Sequence, residues 1–550
     1  MDEIENNTTN HSEGKQPRSF DKMADNQASN GVVHEVSNIA RWYDNRSVFI
    51  TGATGFMGKV LVEKLLSSCP GINQVFVLLR RKKDVSPEKR LEQLKQTSIF
   101  DVLRRQWPQR LDKIVIINGD MLHPDLGISA EDLRTVQACV SVVFHCAATV
   151  RFDESLRLSV TLNILGTRRM VNIARKMAKL EAFVHVSTAY CNCERQVIDE
   201  VIYPPPGDID RLMQCLDCLD DEMMETMTPK FIGKHPNTYT FTKAMAEHTL
   251  EKEGAGMPIT IIRPSIVSAT LSSPTAGWVD NLNGPSGVLA GGGKGILRSM
   301  ICDRDLVSDI IPVDLCINAM IVAAWNTARE KHAPLKVYNV TTGQSNPILW
   351  GQMERWGKEQ MFKHPFDDIL WYPGGSFKTN RTLNFICVGV FQLLPAYLID
   401  FTAKILGKKQ PASMVRVQNK MIKSLQILEY FTTHEWTFLN TNVLHLQTKL
   451  TESDRKVFDM DVNNIKWVPY MEQYVLGVRK YILKEKDKDI PKAKQHMKRM
   501  YLLHQFSKVL LLFALYKLVV GNSALAKKIS YNLISFALFA INKLSTVFSK

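Results

Sequence analysis

Residues 47–68 read SVFITGATGFMGKVLVEKLLSS. A short apolar run stops at a turn holding Gly52, Gly55 and Gly58, and a helical pattern follows. Strand, glycine turn and helix in that order form the opening unit of a dinucleotide-binding fold. The glycines allow a tight turn and let backbone approach a pyrophosphate, whose charge the helix N-terminus favours. The candidate cofactor contacts in this unit are Thr51, Gly52, Thr54, Gly55, Phe56, Met57 and Gly58.

Working outward, QVFVLLRRKK, KIVIINGD, SVVFHCAA, AFVHVSTAY and ITIIRPSIV are further short apolar runs. Helical stretches such as VTLNILGTRRMVNIARKM separate them. Strands alternating with helices predict an α/β fold, a Rossmann-type doubly wound parallel sheet. The regime ends near KVYNVTTG, so residues 43–345 are read as the catalytic domain. A mainly helical C-terminal domain is expected over 346–485. Within it, LNFICVGVFQLLPAYLI (Leu383 to Ile399) is uncharged but interrupted by Gly389 and Pro395. That suits a buried core helix or a membrane-surface helix better than a clean span.

Residues 1–42, rich in Asn, Ser, Asp and Glu, predict a disordered tail, with no secretory signal. Residues 486–550 carry a lysine-rich linker and two apolar stretches, Tyr501 to Gly521 and Ile529 to Phe548. These predict membrane-attaching hydrophobic helices, with Lys508, Lys517 and Lys543 reaching toward headgroups and the catalytic domain facing the cytosol. Spanning and interfacial placement both remain open, as do endoplasmic reticulum and peroxisome.

The 550 residues are 45% hydrophobic and 23% charged, the balance of a globular chain, with formal net charge +14. That charge favours anionic partners such as a phosphate-rich cofactor, a CoA ester or lipid headgroups. No zinc-finger spacing or RNA-binding aromatic signature points to nucleic acid. The ten cysteines include one C-x-x-C (Cys215, Cys218) with no second pair at metal-site spacing, so reduced thiols and no metal are expected.

Arg80 and Arg81 end the second strand, where an NAD-binding protein usually places an acid. Arginine there suits a 2′-phosphate and hence NADPH. A solvated basic loop is the competing reading, since Lys82 and Lys83 follow. Asp120, with Met121 beside it, follows the third strand and is placed to accept from the adenine amino group, or to cap a turn. Ala147 and Ala148 are small enough to let the cofactor lie against the fourth strand's tip.

Tyr239 and Lys243 stand four apart in TYTFTKAMAEHTL, on one helix face. An ammonium beside a phenol stabilises phenolate and should lower the tyrosine pKa, making Tyr239 a proton donor to a carbonyl. Thr188, with Ser187 next to it, ends the fifth strand and can bond that carbonyl. Asn163, on the helix after the fourth strand, is a candidate to hold a water in a relay to Lys243, or else a structural amide.

TGATGFMG, Thr188, Tyr239 with Lys243, and RPSIV together resemble the extended short-chain dehydrogenase/reductase superfamily. The resemblance implies that Thr188, Tyr239 and Lys243 are catalytic, with Asn163, and that Lys243, Pro264 and Ile266 adjoin the nicotinamide. FHCAATVRFDE, VHVSTAYCN, GWVDNLNGPSG and the Asp309–Asp314 run are similar to fatty acyl-CoA reductases, animal and particularly insect members above all. EYFTTHEWTFLNTN and DRKVFDMDVNNIKWVPYMEQYVLGVRKYILK extend the likeness to about residue 485. It implies reduction of a long-chain fatty acyl-CoA to primary alcohol and free CoA by two NADPH through an aldehyde, for lipid or wax biosynthesis. The rivals are a membrane-bound sterol dehydrogenase of the same superfamily and an inactive cofactor-binding scaffold. Homo-oligomerisation is left open.

Overall fold

The computed structural model describes residues 37–521 apart from 83, 331–332 and 408–411, together with 528, 531, 532 and 535. Seven apolar runs form one parallel sheet: β1 (Ser47–Thr51), β2 (Val75–Leu79), β3 (Ile114–Asn118), β4 (Val140–His145), β5 (Ala182–Val186), β6 (Ile259–Pro264) and β7 (Lys336–Val340). The strand order is β7-β6-β5-β4-β1-β2-β3. β1, β2, β4, β5 and β6 are buried along their whole length. That is why these runs are continuous in Val, Ile and Phe rather than alternating: helices cover both faces. In-register neighbours include Ile50 with Val77 and with Phe144.

The chain winds outward one way from β1 to β3, then returns to place β4 on the other side of β1. This reversal opens a crevice beyond the carboxyl ends of β1 and β4, where such sheets bind ligands. Four helices border the crevice. α1 (Phe56–Ser68) follows β1 directly. α2 (156–174) contains one π-turn at Thr161–Leu165. α3 (Thr238–Glu253) and α4 (Val313–Arg329) complete the set.

The helical remainder contains α5 (Arg381–Ile405), α6 (Met414–Thr432), α7 (Trp467–Gly477) and α8 (Ile490–Gly521). α7 packs tightly on the segment after β6. Tyr470 Oη donates to the Ala269 carbonyl at 2.8 Å and lies 2.7 Å from Ser268 Oγ. Tyr474 Oη lies 2.7 Å from Ser286 Oγ. Gly277 (φ +75°) meets α7 so closely that an added Cβ would stand 2.1 Å from the Gln473 carbonyl oxygen.

Three expectations change. Residues 37–42, read as part of the disordered tail, are ordered. Ser37 caps a short helix, Asn38–Trp42, and its Oγ donates to Asp454 at 2.7 Å, while Ile39 is fully buried. The rest of that tail, 1–36, lies outside the described residues. The Leu383–Ile399 stretch is continuous within α5, since a π-turn at Gly389–Leu393 accommodates Gly389 and Pro395 falls within the next helical turn. It is an exposed helix, not a buried one: Phe385 is 79% exposed. The lysine-rich run before Tyr501 is helical from Ile490 and continues into the first terminal apolar stretch. The second stretch falls almost wholly outside the described residues.

Candidate active site

Gly52 takes φ +76°, and a Cβ there would approach Ala147 N to 2.8 Å, so the turn and the tip of β4 touch backbone to backbone. A Cβ on Gly58 would meet the Gly52 carbonyl at 2.2 Å. Gly55 caps α1 without a side-chain hydrogen bond, leaving the first-turn amides available to an anion. This cradle fits a dinucleotide pyrophosphate. Thr51 does a different job from direct contact: it is fully buried, its Oγ1 accepts from Ala147 N at 3.2 Å and lies 2.8 Å from His145 Nδ1. It ties β1 to β4. Ala148 is half-buried beside Ala147 at the tip.

Phe56 stacks on Trp278 with centroids 5.6 Å apart, and Lys59 Nζ pairs with Asp280 at 2.7 Å. The 277–281 segment therefore sits against the start of α1. Asp314 holds that segment's base, accepting from the amides of Leu271, Ser272 and Ser273 at 2.8–3.1 Å. Asp309 likewise accepts from Thr342 N and Gly343 N. The Asp309–Asp314 run is thus a loop clamp. Burial pushes both carboxyls up while these amides pull them down.

Arg80 and Arg81 are exposed at the end of β2. Arg80 Nη1 donates to Asp120 Oδ2 at 3.2 Å, and Asp120 Oδ1 accepts from Leu122 N, the turn-capping role. Met121 packs against α2, where a Cβ on Gly166 would lie 2.7 Å from its Cε. Arg90 was missed by sequence reading. Its guanidinium reaches back to Thr54 Oγ1 at 3.0 Å and to the Arg80 carbonyl at 2.6 Å. Burial and the neighbouring Arg80 charge lower its pKa from the usual value. One guanidinium, that of Arg90, therefore reaches the glycine turn from the β2 side, while that of Arg80 is paired with Asp120.

The structure brings Thr188, Tyr239 and Lys243 together at the carboxyl edge of β5. The Thr188 side chain stands near enough to the Tyr239 phenol to pull its pKa down. Thr188 Oγ1 accepts from Tyr190 N at 3.3 Å, and Ser187 is buried beside it. Lys243 is buried, and its Nζ donates to the Val186 carbonyl at 2.6 Å. Burial lowers its pKa from 10.5 to about 8. The expected lowering of the tyrosine does not occur in this geometry. Burial and the nearby Cys191 push the phenol above its ordinary value, and Thr188 opposes them, because the ammonium is turned to Val186.

Asn163 differs from expectation as well. Its Oδ1 accepts from Thr149 N at 2.9 Å, and its Nδ2 donates to Thr149 O and to Thr242 Oγ1. Both N–H groups are occupied, so Asn163 clamps the β4 exit loop to α3 and has no donor left for a water relay. The π-turn in α2 is where this residue faces inward.

Beneath the lysine, His145 is lowered to about 3 by burial, and His185 is lowered for the same reason, with Lys243 adding to both. Both rings stay neutral near pH 7. One turn along α3, Glu247 makes a fully buried bidentate pair with Arg263, at 2.8 and 2.6 Å. Arg263 also donates to the Asp199 and Val201 carbonyls, and the Cys191 thiol donates to Glu247 at 3.3 Å. Pro264 ends β6 opposite Val340, and Ile266 begins the next short strand.

An aromatic wall stands over Tyr239. Phe152 stacks on its ring at 5.6 Å and touches Phe431 of α6 at 5.4 Å. Tyr190 contacts Phe431, Trp436 and Phe438 edge-on, and Ile266 packs against the same cluster. The helical region thus supplies part of the wall beside the Tyr239 ring.

Two family models, both described as "Male sterility protein", match residues 50–320 and 391–485. The chain is 40% identical over 498 residues to fatty acyl-CoA reductase 1 of Xenopus laevis, covering 90% of this chain and 96% of that protein. It is 39% identical over 501 residues to fatty acyl-CoA reductase 2 of Mus musculus, covering 91% and 97%. Among solved structures, the reductase domain of a nonribosomal peptide synthetase from Mycobacterium tuberculosis aligns with a TM-score of 0.56 at 20% identity, covering 79% of this chain and 92% of that one. That last likeness is one of fold.

Proposed function

The chain belongs to the fatty acyl-CoA reductase family, and on that premise we propose that it reduces long-chain fatty acyl-CoA to primary alcohol and free CoA, using two NADPH. The observation that carries the reading is the gathering of Thr188, Tyr239 and Lys243 at the carboxyl edge of β5, in a sheet whose β1 edge carries the glycine cradle.

Bound NADPH would supply a hydride to the carbonyl carbon in each of two rounds. The protein's residues handle the oxygen and the protons. Thr188 and Tyr239 present two donors to one carbonyl oxygen, and a preorganised donor of this kind contributes about 3–4 kcal/mol to transition-state stabilisation. In the first round Tyr239 transfers its proton to that oxygen, giving a thiohemiacetal. The hydroxyl proton then returns to the Tyr239 phenolate as the C–S bond breaks and CoA leaves as thiolate, so aldehyde remains. In the second round Tyr239 protonates the aldehyde oxygen to give the alcohol. Lys243 carries the charge that compensates the phenolate. Arg90 at the glycine turn, with Arg80 and Arg81 exposed at the end of β2, would favour a cofactor with a 2′-phosphate over one with free hydroxyls.

Membrane attachment through 501–521 and 529–548 suits this chemistry, since substrate chain and alcohol both partition into lipid. The catalytic part would face the cytosol, on endoplasmic reticulum or peroxisome. A sterol dehydrogenase would lack the D-R-x-x-F-x-x-D-x-x-x-I-x-W pattern of residues 454–467, and that stretch lies inside the second matched segment. The test is stoichiometric. Purified protein given palmitoyl-CoA and NADPH should oxidise two NADPH per hexadecanol formed, with equimolar free thiol. One NADPH per aldehyde would remove the second round. No product, with NADPH still bound, would favour the inactive scaffold.

A further inference from the structure

α5 is 25 residues long, carries an apolar window of mean hydropathy 1.8 and has only 11% of that window buried. Phe385, Ile386, Phe391, Leu394, Leu398 and Phe401 all face outward. An exposed run of this size marks a partner surface. Residues 382–399 carry no charge, and Arg381 and Lys404 bracket them. The one acid within the helix, Asp400, is engaged by its own neighbours: it accepts from Ser413 Oγ and from the amides of Met414 and Val415.

The helix midpoint is held to the body. Gln392, buried, accepts from the amides of Arg298 and Ser299 at 2.9 Å and donates to Gln418 Oε1. A helix bound at its middle along one face does not thread a bilayer; it lies along one. Charge agrees: Lys404, Arg416 and Lys420 are exposed around the α5–α6 tip, and Lys408 and Lys409 stand between them in the sequence. The surface also continues into α8. The Arg298 guanidinium donates to the Tyr372 carbonyl, and Tyr372 contacts Tyr501 and His504 of α8. From there α8 exposes Leu502, Phe506, Leu510 and Phe513.

We propose that α5 lies in the interface of an anionic bilayer, as a membrane contact in addition to the C-terminal stretches, with the basic α5–α6 tip on lipid phosphates. α6 then runs from that tip to Phe431 beside Phe152 and Tyr239, a distance of about 28 Å for its 19 residues. It would frame the route of an acyl chain from lipid to the catalytic hydroxyls. This rests on the reductase reading for the substrate alone.

The experiment places a photo-crosslinking benzoylphenylalanine at 391, 398 or 401 of the full chain. The chain is reconstituted in phosphatidylcholine vesicles containing phosphatidylserine and a radiolabelled lipid. The same probe at 510 reports α8, and one at Asp221, an exposed position of the catalytic domain, reports background. Lipid adducts at all three α5 positions, and none at 221, are expected. Adducts at 510 but none in α5 would overturn the inference and leave membrane attachment standing. Crosslinks between copies at the α5 positions would overturn it in favour of a dimer interface. A second readout is kinetic. The Phe391→Asp/Leu398→Asp/Phe401→Asp variant should raise KM for vesicle-borne palmitoyl-CoA at least tenfold, with kcat and NADPH affinity unchanged. An unchanged KM would count against the acyl route.

Discussion

Lys243→Met should make the protein more stable at neutral pH while abolishing turnover. The buried ammonium has its pKa lowered from 10.5 to about 8, which corresponds to about 3 kcal/mol of destabilisation of the charged form. Below pH 8 the lysine is charged in both folded and unfolded chains, so the folded state bears the whole penalty. Between pH 8 and 10.5 the unfolded chain holds a proton that the folded chain has released. Stability of the wild type therefore rises with pH across that window. Methionine removes the penalty but leaves the Val186 carbonyl without its 2.6 Å donor, a cost of about 1–2 kcal/mol. The net expectation at pH 7 is a variant about 1–2 kcal/mol more stable. The order inverts above pH 10, where neutral lysine still donates and methionine does not. Urea midpoints of both proteins, cofactor-free in detergent from pH 6.5 to 10.5, give the difference directly, since every other group titrates in both. A variant less stable at pH 7, or a difference flat with pH, would refute the reasoning.

Other expectations follow from particular contacts. Glu247→Leu strips the counter-charge from buried Arg263 and should cost about 3–5 kcal/mol; Glu247→Leu/Arg263→Met should cost less than Glu247→Leu or Arg263→Met alone, read by chemical unfolding of these three variants and the wild type. Arg90→Ala should weaken NADPH binding about tenfold and leave NADH binding within about twofold, if the arginine, which reaches Thr54 of the glycine turn, holds the proposed 2′-phosphate; equal loss for both cofactors would place its role in the turn alone. Gly277→Ala sets a Cβ 2.1 Å from the Gln473 carbonyl at φ +75°, so the unfolding midpoint should fall by at least the ~1–2 kcal/mol of a left-handed residue, and an unchanged midpoint would mean the α7 contact yields freely.

Six of the seven strands were legible as short apolar runs, most of them because parallel strands buried on both faces leave no polar alternation, while the seventh, at KVYNV, was legible only as the place where the alternation ends. Their order was legible only as a class of fold. The glycine turn and the Tyr239–Lys243 spacing were readable because each is a local geometry. What escaped is long-range: Arg90 reaches Thr54 across 36 residues, Lys59 meets Asp280 across 221, and Phe431 joins the wall at Tyr239 through Phe152. Asn163 was picked out, but its neighbours Thr149 and Thr242 set its job, and they lie 14 and 79 residues away. Gly389 and Pro395 interrupt the apolar run and left a buried core helix and a membrane-surface helix both open, and a π-turn and a helix-start proline keep α5 continuous. Arg263 looked like part of a strand motif. Its buried pairing with Glu247 needed β6 and α3 to be side by side.

The most direct test of the central claim is product formation by Tyr239→Phe. The phenylalanine keeps the ring stacked on Phe152 and removes the one hydroxyl assigned to move the proton. With palmitoyl-CoA and NADPH, gas chromatography should show hexadecanol and hexadecanal reduced by at least about a thousandfold, within the ~10²–10⁴ range of a lost proton donor, while NADPH affinity stays within about twofold of the wild type. Alcohol formed at a rate near wild type would show that another group protonates the carbonyl oxygen, and the catalytic assignment would fail.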